Sequence, residues 1–407
     1  MSMKTLRFRI SLCDLSALYV LIWIVTPAMG SASIFRAILL ACAAYWGISN
    51  GFFIKKHAKE LLLMIILLLG YFITQWMSHG VSYAVSWTIN LGVFVVVGLI
   101  GMKYNYEYKD KIPVLLNIVL FIVVIVSIIS IRTVIADPYA LRRATYSLED
   151  RGHAYGSYGF IYMMTQLLPL IFFLLVNKPK ERYGINKVLL IVTFAIGWFL
   201  VIQSGFFIAN VVLISSFILI ILLKDFNTKK LLIILLLIVV FAFSYRYVVE
   251  ILFSGLSRIV EGKIVYERKV NDLYNQFILG YDNDGIGLVR FDLYKKSWTA
   301  VLHNFIFGSA IIRGEDASGG HSTFVDIMAN CGLVVALLYY WLIIRMPIKM
   351  AVMLDEAKRH RQLIVVFLFL VFSIGIFDTI PISCSWVWFL FLPYISNSTS
   401  IYKNAMD

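Results

Sequence analysis

The chain has 407 residues, of which 61% are hydrophobic and 14% are charged. Soluble globular chains carry about 25% charged residues, so this composition excludes that class, and it also excludes disordered and coiled-coil chains. A formal net charge of +13 would indicate a nucleic-acid partner in a soluble chain, but in so apolar a chain it first indicates orientation in a bilayer. The sequence therefore predicts an all-α polytopic membrane protein, with a single transmembrane domain over 1–407 and no nucleic-acid partner.

Hydropathy predicts about twelve transmembrane helices along the chain. They are predicted at 12–29, 34–54, 61–78, 83–101, 112–132, 158–176, 188–203, 205–223, 230–250, 323–345, 362–377 and 380–396. Two boundaries are inferred, because the apolar runs 188–223 and 362–396 are too long for one tilted crossing. Gln203-Ser204-Gly205 interrupts the first run, and Asp378-Thr379-Ile380-Pro381 interrupts the second, where the proline favours a helix start.

Basic residues concentrate in alternate loops, where 22 of the 36 lysines and arginines fall on one side. The positive-inside rule makes that side cytoplasmic, and both termini are predicted to lie there. The opposite side carries two long segments, predicted as an outer loop at 133–157 and a large outer loop with amphipathic helices at 251–322. Long ordered loops usually carry function, so the site is expected in these two segments.

The two sides differ in which basic residue they use. The inner side has 16 Lys and 6 Arg, whereas the outer side has 4 Lys and 10 Arg, among them Arg142, Arg143, Arg151, Arg290 and Arg313. Arginine is preferred where a planar fork grips a phosphate or carboxylate, so this bias indicates an anionic ligand of the phosphate type. The alternative is that these arginines pair with outer acidic residues or with lipid headgroups.

The strongest local motif in the outer segments is Gly319-Gly320-His321-Ser322-Thr323-Phe324-Val325-Asp326. Thr323 and Asp326 have the spacing of a capping box, which predicts that a transmembrane helix begins at Thr323. His321 would then lie at an outward-facing helix N-terminus, a position that favours anions. A histidine there can act as a general base or acid, or it can simply pack at the cap.

Residues 288–302 have the pattern of a helix that lies in the membrane interface. Phe291, Tyr294, Trp298 and Val301 fall on one face at helical spacing, with Arg290 away from its centre. This placement would hold Arg290 near a lipid phosphate, or it would make Arg290 an ordinary interfacial arginine.

The shorter outer loop, from 137 to 158, interleaves its three arginines with tyrosines. Arg142, Arg143 and Arg151 alternate with tyrosines at 139, 146, 155 and 158. Aromatic faces beside charged forks suit a phosphorylated glycan, although interfacial tyrosines that anchor the loop would give the same pattern. Asp378, predicted between two spans, is a weaker candidate.

Together these residues resemble a known family. Arg290 on an amphipathic outer helix, then Asn304 and Gly308, then the run from Gly319 to Gly332, resemble the late periplasmic loop of the Wzy polymerases of O-antigen and capsule, in the O-antigen ligase/polymerase superfamily. The motif similarity covers about residues 286–340, and elsewhere the likeness is topological. One feature departs from the family pattern, because Ser204-Gly205 is followed by two phenylalanines where family members often have an arginine.

The resemblance implies a GT-C-like glycosyltransferase of the bacterial inner membrane. Such an enzyme polymerises undecaprenyl-pyrophosphate-linked repeat units at the periplasmic face, with lipids around it, a chain-length regulator protein as a further partner, and neither metal nor cofactor. Arg290 would stabilise the leaving pyrophosphate. His321 would be the general base, with Asp326 as the second choice. The substrate-binding residues would be Arg142, Arg143, Arg151, Arg313, Ser322, Tyr294 and Asp326.

Two other functions remain open from the sequence. An O-antigen ligase would use the same donor but transfer the glycan to the lipid A core. A transporter of a lipid-linked sugar would be expected to show internal repeats and charges at the membrane midplane, and no convincing repeat is seen.

Overall fold

The structure is a computed structural model that describes most of the helical part of the chain. It describes residues 10–30, 32–136, 140–141, 156–177, 184–204, 206–223, 253–259, 261–262, 267, 270–271, 286–311, 318–320, 322–352 and 359–397. The predicted span 230–250 and most of the two predicted outer loops lie outside these ranges.

The described residues form helices and short connections, with no strand among them. The helices, labelled α1 to α14 in chain order, are Leu12–Val25, Ser33–Ser49, Gly51–Lys56, Ala58–His79, Val81–Glu107, Ile112–Ala136, Tyr158–Asn177, Lys187–Gln203, Phe207–Leu223, Ile286–His303, Thr323–Tyr340, Met346–Val352, Arg359–Phe377 and Leu392–Asn397. A short helix at 253–259 and 3-10 turns at Pro27–Gly30, Lys109–Lys111, Gly308–Ile311 and Ile382–Cys384 accompany them.

Five helical segments of the described residues are long and apolar enough to cross a membrane. They are Ala58–His79, Val81–Glu107, Lys109–Ala136, Tyr158–Val176 and Thr323–Val352. Six shorter apolar helices accompany them, at Leu12–Val25, Ser33–Ser49, Lys187–Gln203, Ile208–Leu223, Gln362–Phe377 and Ile382–Ser396. The all-α, membrane-type architecture is thus seen, and the count of twelve spans stays a prediction.

Both inferred breaks in the long apolar runs are confirmed. α8 ends at Gln203 and α9 begins at Phe207, while α13 ends at Phe377 and the next helical turn begins at Ile382. The predicted span 34–54 differs in detail, because Asn50 separates α2 from α3 with φ −109° and ψ 23°.

α11 contains a sharp break that hydropathy does not reveal. Gly332 has φ 77° and ψ 175°, and the N–H of Leu333 donates to the carbonyl of Phe305 at 2.9 Å. The Tyr340 hydroxyl donates to the carbonyl of Phe324, and their ring centroids lie 5.3 Å apart. In a straight helix, residues this far apart in sequence would be separated by about 24 Å. The predicted span 323–345 is therefore not one straight helix, because residues 323–331 form a first arm that lies alongside the second arm from Leu333 onward.

Backbone crowding requires a glycine at this break. A Cβ atom on Gly332 would lie 2.0 Å from the carbonyl oxygen of Ile306, and one on Gly308 would lie 2.5 Å from that of Asn330. Both glycines have positive φ, a conformation that other residues rarely adopt. Two of the glycines that carry the family resemblance are thus contact partners across the break.

The centre of the bundle is the C-terminal segment from Ile382 to Asn397. Trp386, Trp388, Phe389 and Phe391 are fully buried, as expected for a helix that is apolar all round. A π-helical turn at Val387–Phe391 disturbs its hydrogen-bond ladder, and the Asn105 side chain donates to the Phe389 carbonyl at 3.1 Å. Neighbouring helices thus satisfy the polar groups that the bilayer could not.

Contacts between helix termini divide the bundle into two ends, named here for the buried carboxylate in each. The Asp14 end contains the pairs Lys111 with Asp14, Lys349 with Glu60, Gln362 with Leu223, and Ser396 with Ala351. The Asp378 end contains the pairs Ser78 with Ser309, Tyr158 with Asp378, and Ser322 with Gly375. These pairs join the termini that the loop alternation predicts to lie together. Which end faces the cytoplasm stays a prediction.

Candidate functional site

Ser297 joins α10, the helix that carries Arg290, to both sides of the Gly-Gly-His-Ser motif. Its hydroxyl donates to Asp326 Oδ1 at 2.6 Å and accepts from the N–H of Gly319 at 2.7 Å. Ser297 is 1% exposed, so these bonds form away from solvent, where an unmade hydrogen bond would cost about 1–3 kcal/mol. The two parts of the sequence that carry the resemblance therefore pack against each other.

The cap of α11 lies one residue earlier than predicted. Ser322 is the N-cap, and its hydroxyl accepts from the N–H of Val325 at 3.4 Å. The Asp326 carboxylate accepts from the N–H of Ser322 at 2.7 Å, while Ser297 occupies its other oxygen. The predicted Thr323–Asp326 capping box is therefore wrong, because Asp326 reaches back to Ser322 and Thr323 has other partners.

The N-terminus of α11 faces the interior of the bundle and does not point outward as predicted. Ser322 is 1% exposed and its hydroxyl donates to the carbonyl of Gly375 at 3.1 Å. The reason is the break at Gly332. It folds the first arm back along the second arm, so that the start of the first arm lies beside Tyr340. The prediction of an outward-facing N-terminus is corrected accordingly.

A second buried carboxylate lies next to this cap. Asp378, 8% exposed, accepts from the Tyr158 hydroxyl on Oδ1 and from the Tyr162 hydroxyl on Oδ2, each at 2.5 Å. The N–H of Thr379 also donates to Oδ1, at 2.9 Å. Among the residues that the structure describes, no Lys, Arg or His forms an ion pair with Asp378.

Thr323 connects the start of α11 to the backbone of the break that begins at Asp378. Its hydroxyl accepts from the N–H of Ile380 at 2.6 Å and donates to the carbonyl of Asp378 at 3.4 Å, while its own N–H donates to that carbonyl at 3.3 Å. The break in the apolar run 362–396 is thereby fixed to the start of the first arm. The cluster from Ser297 through Ser322, Asp326 and Thr323 to Asp378, Tyr158 and Tyr162 is called the Ser297–Asp378 network below.

By helical spacing, position 290 and Ser297 fall on the same side of α10. Ser297 and Val301 are buried at 1% and 2% exposure, whereas Trp298 and Leu302 are 52% and 69% exposed. Helical spacing places position 290 two turns before Ser297 and on the same face. Of the residues predicted on one apolar face, Val301 is buried and Trp298 is half exposed, and the interfacial position of this helix stays a prediction.

The other predicted site residues divide into two groups. Tyr294 lies beside the network, where its hydroxyl donates to the carbonyl of Ile376 at 2.8 Å, and Ser322 and Asp326 belong to the network itself. The remaining predicted residues, His321, Arg142, Arg143, Arg151 and Arg313, lie outside the described residues. Gly320 and Ser322, on either side of His321, are described.

From the sequence, Asp378 is only a weaker candidate and is not connected to Tyr158 or Tyr162. Tyr158 is one of the outer-loop tyrosines and Tyr162 falls within the predicted span 158–176, although their i, i+4 spacing places both on one helix face. A lone carboxylate in an apolar run beside Pro381 was the available signal.

The network contains two carboxylates, Asp326 and Asp378, and neither forms an ion pair with a Lys, Arg or His among the described residues. Asp326 has both oxygens occupied by local donors, which suits a brace and leaves little capacity to take a proton from a substrate. Asp378 also has both oxygens occupied, but by the hydroxyls of Tyr158 and Tyr162 and the N–H of Thr379 at a break between two apolar helices. Within the described ranges, no group of three His, Cys, Asp or Glu side chains is placed to hold a metal ion.

In comparisons with known proteins, the sequence matches no protein-family model and no curated protein.

Proposed function

We propose that the chain is a membrane-embedded glycosyltransferase that polymerises undecaprenyl-pyrophosphate-linked oligosaccharide repeat units for O-antigen or capsule. The reaction takes place at the periplasmic face of the bacterial inner membrane, with both termini of the chain in the cytoplasm. A chain-length regulator protein is the further partner.

The observation that supports this proposal is the double hydrogen bond of Ser297. It joins the helix that carries Arg290 to Gly319 and Asp326, on either side of His321. An enzyme that breaks a sugar–pyrophosphate bond needs a cation for the leaving group and a base for the acceptor hydroxyl. The two residues proposed for these tasks belong to segments that the network holds together.

In the proposed reaction, Arg290 binds the pyrophosphate and stabilises the charge that develops on it as the glycosidic bond breaks. His321 takes the proton from the acceptor sugar hydroxyl. Asp326, with both oxygens bonded, positions the turn between them and does not itself take the proton. Arg142, Arg143, Arg151, Arg313, Ser322 and Tyr294 are proposed to bind the substrates.

Two alternatives remain as second candidates. An O-antigen ligase would use the same donor and site but transfer the glycan to the lipid A core. A transporter of a lipid-linked sugar is favoured by one observation, the buried carboxylate of Asp378 at a break between apolar helices, since such breaks line substrate paths in transporters.

The test is a gene deletion in the source strain, followed by gel separation of the surface polysaccharide. Loss of the polymer ladder with one repeat unit retained supports the polymerase. Accumulation of lipid-linked polymer inside the cell would instead indicate the ligase, and an unchanged ladder would contradict both enzyme functions.

Complementation with point variants then tests the site. His321→Ala and Arg290→Ala are expected to restore no ladder at normal protein levels. Matched controls are His303→Ala and Lys295→Ala, since both side chains are exposed on α10 and lie off its protein-facing side. Full activity of either site variant would contradict the assignment of that residue.

A further inference from the structure

The Asp14 end contains a cavity that the proposed reaction does not use. It has a volume of about 130 Å³ and lies between the termini of α1, α2, α5 and α6. Its lining includes Asp14, Asn50, Lys103, Tyr108 and Lys111. It is therefore a polar cavity at the opposite end of the bundle from the Ser297–Asp378 network.

The charges of this cavity favour an anion. Lys103 and Lys111 both line it. Their Nζ atoms lie 4.9 and 4.8 Å from the centroid of the Tyr108 ring, which also lines the cavity. The carboxylate in the lining, Asp14, is saturated: Lys111 Nζ donates to it at 2.6 Å, Tyr104 at 2.6 Å and the Ser11 hydroxyl at 2.7 Å. A saturated carboxylate repels an incoming anion less than an unpaired one would.

Trp46 supplies one unused neutral donor in the lining, whereas Asn50 uses both of its amide hydrogens within it. Trp46 is 1% exposed, and its indole N–H has no hydrogen-bond partner among the described residues. Asn50 is 7% exposed, and its side-chain amide donates to Trp46 O and to Cys13 Sγ. Lys103 is 7% exposed and pairs with Glu107, which is not part of the lining. The cavity thus combines the buried ammonium of Lys103 and the partly exposed ammonium of Lys111 with one unpartnered indole N–H, a set of donors that suits a phosphate group.

Exposed apolar side chains flank the cavity on the same two helix ends. Leu12 and Leu15 are 61% and 48% exposed beside Asp14, and Ile48 and Phe52 are 82% and 86% exposed beside Asn50. A free phosphate ion would leave these side chains without a partner, whereas a phospholipid would cover them with its acyl chains. This arrangement favours a lipid over a soluble anion.

We propose that this cavity binds the phosphate of an anionic phospholipid, with the acyl chains along the exposed apolar side chains of α1, α2 and α3. Lys103 and Lys111 contact the phosphate, and Asp14 holds Lys111 in place. The bound lipid joins the termini of α1, α2, α5 and α6. The proposal is independent of the reaction at the Asp378 end.

The experiment measures lipid binding by native mass spectrometry of the purified, delipidated full chain. Dioleoyl phosphatidylglycerol is titrated against dioleoyl phosphatidylcholine, which has the same acyl chains but no net charge. Phosphatidylglycerol is expected to bind about tenfold more tightly, as a charge-assisted contact would give. Equal binding of the two lipids would overturn the proposal.

A paired substitution locates the binding in the cavity. The double variant Lys103→Gln, Glu107→Gln removes one ion pair without leaving a buried unpaired charge. The matched control, Lys349→Gln with Glu60→Gln, removes an ion pair at the same end that lies outside the cavity: Lys349 Nζ lies 2.8 Å from Glu60, and neither residue lines the cavity. Phosphatidylglycerol affinity is expected to fall about tenfold in the first variant and to stay within about twofold of wild type in the second.

Other outcomes would overturn the proposal. If the first double variant bound phosphatidylglycerol as wild type does, the cavity would be only a brace between helices. If inorganic phosphate displaced the lipid completely at millimolar concentration, the site would be one for a free anion and the apolar flank would be irrelevant.

Discussion

The two ends of the bundle each bury an aspartate, and they satisfy it differently. Asp14 accepts from one tyrosine, one serine and the ammonium of Lys111. Asp378 accepts from two tyrosines and a backbone N–H, with no described cation. The phenols lie at 2.5 to 2.6 Å in both cases, so the presence of a counter-charge distinguishes the two ends.

We expect this difference to separate a carboxylate with a structural role from one with a functional role. In a buried ion pair such as Asp14 with Lys111, the ammonium neutralises the charge of the carboxylate, so the carboxylate has little charge left for a ligand. Removing one of the two charges mainly lowers the stability of the fold. Among the described residues, the oxygens of Asp378 accept only from hydroxyl and backbone donors, so this carboxylate lacks the ion pair that Asp14 has. The predictions below test this division, from the largest expected effect to the smallest.

Gly332→Ala is expected to disrupt the Asp378 end most strongly. The φ and ψ values of Gly332 are accessible almost only to glycine, and a Cβ would meet the Ile306 carbonyl at 2.0 Å. We expect a loss of about 3 kcal/mol or more in unfolding free energy, measured by thermal unfolding in detergent. Gly92→Ala is the control, because a Cβ there meets nothing within 4 Å. Equal stability of the two variants would contradict the fold-back of the first arm.

Asp378→Asn is expected to reduce polymer formation about a hundredfold or more while the protein still folds. An asparagine keeps one acceptor oxygen for a tyrosine but carries no charge. Polymer length in membranes and the unfolding temperature are measured together. An active variant, or one that is inactive only because it unfolds, would remove the functional role of this carboxylate.

Asp14→Asn is expected to give the opposite result. Removing the charge leaves Lys111 without its partner at a mostly buried position, at a cost of about 2 kcal/mol after allowance for the partial exposure of the lysine. Thermal unfolding should show the loss, and the folded fraction should keep the polymerising activity that we propose for the chain. A variant with lower activity but unchanged stability would contradict the structural role assigned to Asp14.

Ser297→Ala tests the link between α10 and the first arm. The variant leaves an oxygen of Asp326 and the N–H of Gly319 without this partner, so a loss of about 1–2 kcal/mol is expected, with weaker substrate binding. Thr299→Ala, on the exposed side of α10, is expected to change neither quantity. The polymer ladder and the unfolding temperature are measured for both variants. If the two variants gave the same values, the link that Ser297 makes between α10 and the first arm would be refuted.

The smallest effect is expected at His57, at the Asp14 end. Burial lowers the pKa of His57 below its usual value, although Glu60 at 4.0 Å acts in the other direction. The unfolded state then binds a proton at higher pH than the folded state, so stability is present above about pH 6.5 and is lost as the pH falls below it. Unfolding temperatures at pH 7.5 and 5.5 are compared with those of His57→Gln, whose pH dependence should be weaker. Identical slopes would contradict the prediction.

The sequence predicted the helical class, the apolar segments and the two breaks at Gln203 and Asp378, because hydropathy reports these directly. It did not predict the fold-back at Gly332, since a glycine in an apolar run looks the same whether the helix continues or turns. It also placed the cap at Thr323, because serine and threonine are adjacent there and the choice depends on Asp378, more than fifty residues away in the chain. Contacts of that kind are invisible to local patterns.

The break from Asp378 to Pro381 interrupts a helix ladder inside an apolar bundle, where no bulk water can take over its backbone groups. The N–H of Thr379 donates to the Tyr158 hydroxyl and that of Ile380 to the Thr323 hydroxyl, at 3.0 and 2.6 Å. These hydroxyls substitute for hydration, and both can rotate to another partner when one arrives. A sugar, itself a ring of hydroxyls, could therefore exchange places with them at this break while every backbone group there keeps a partner.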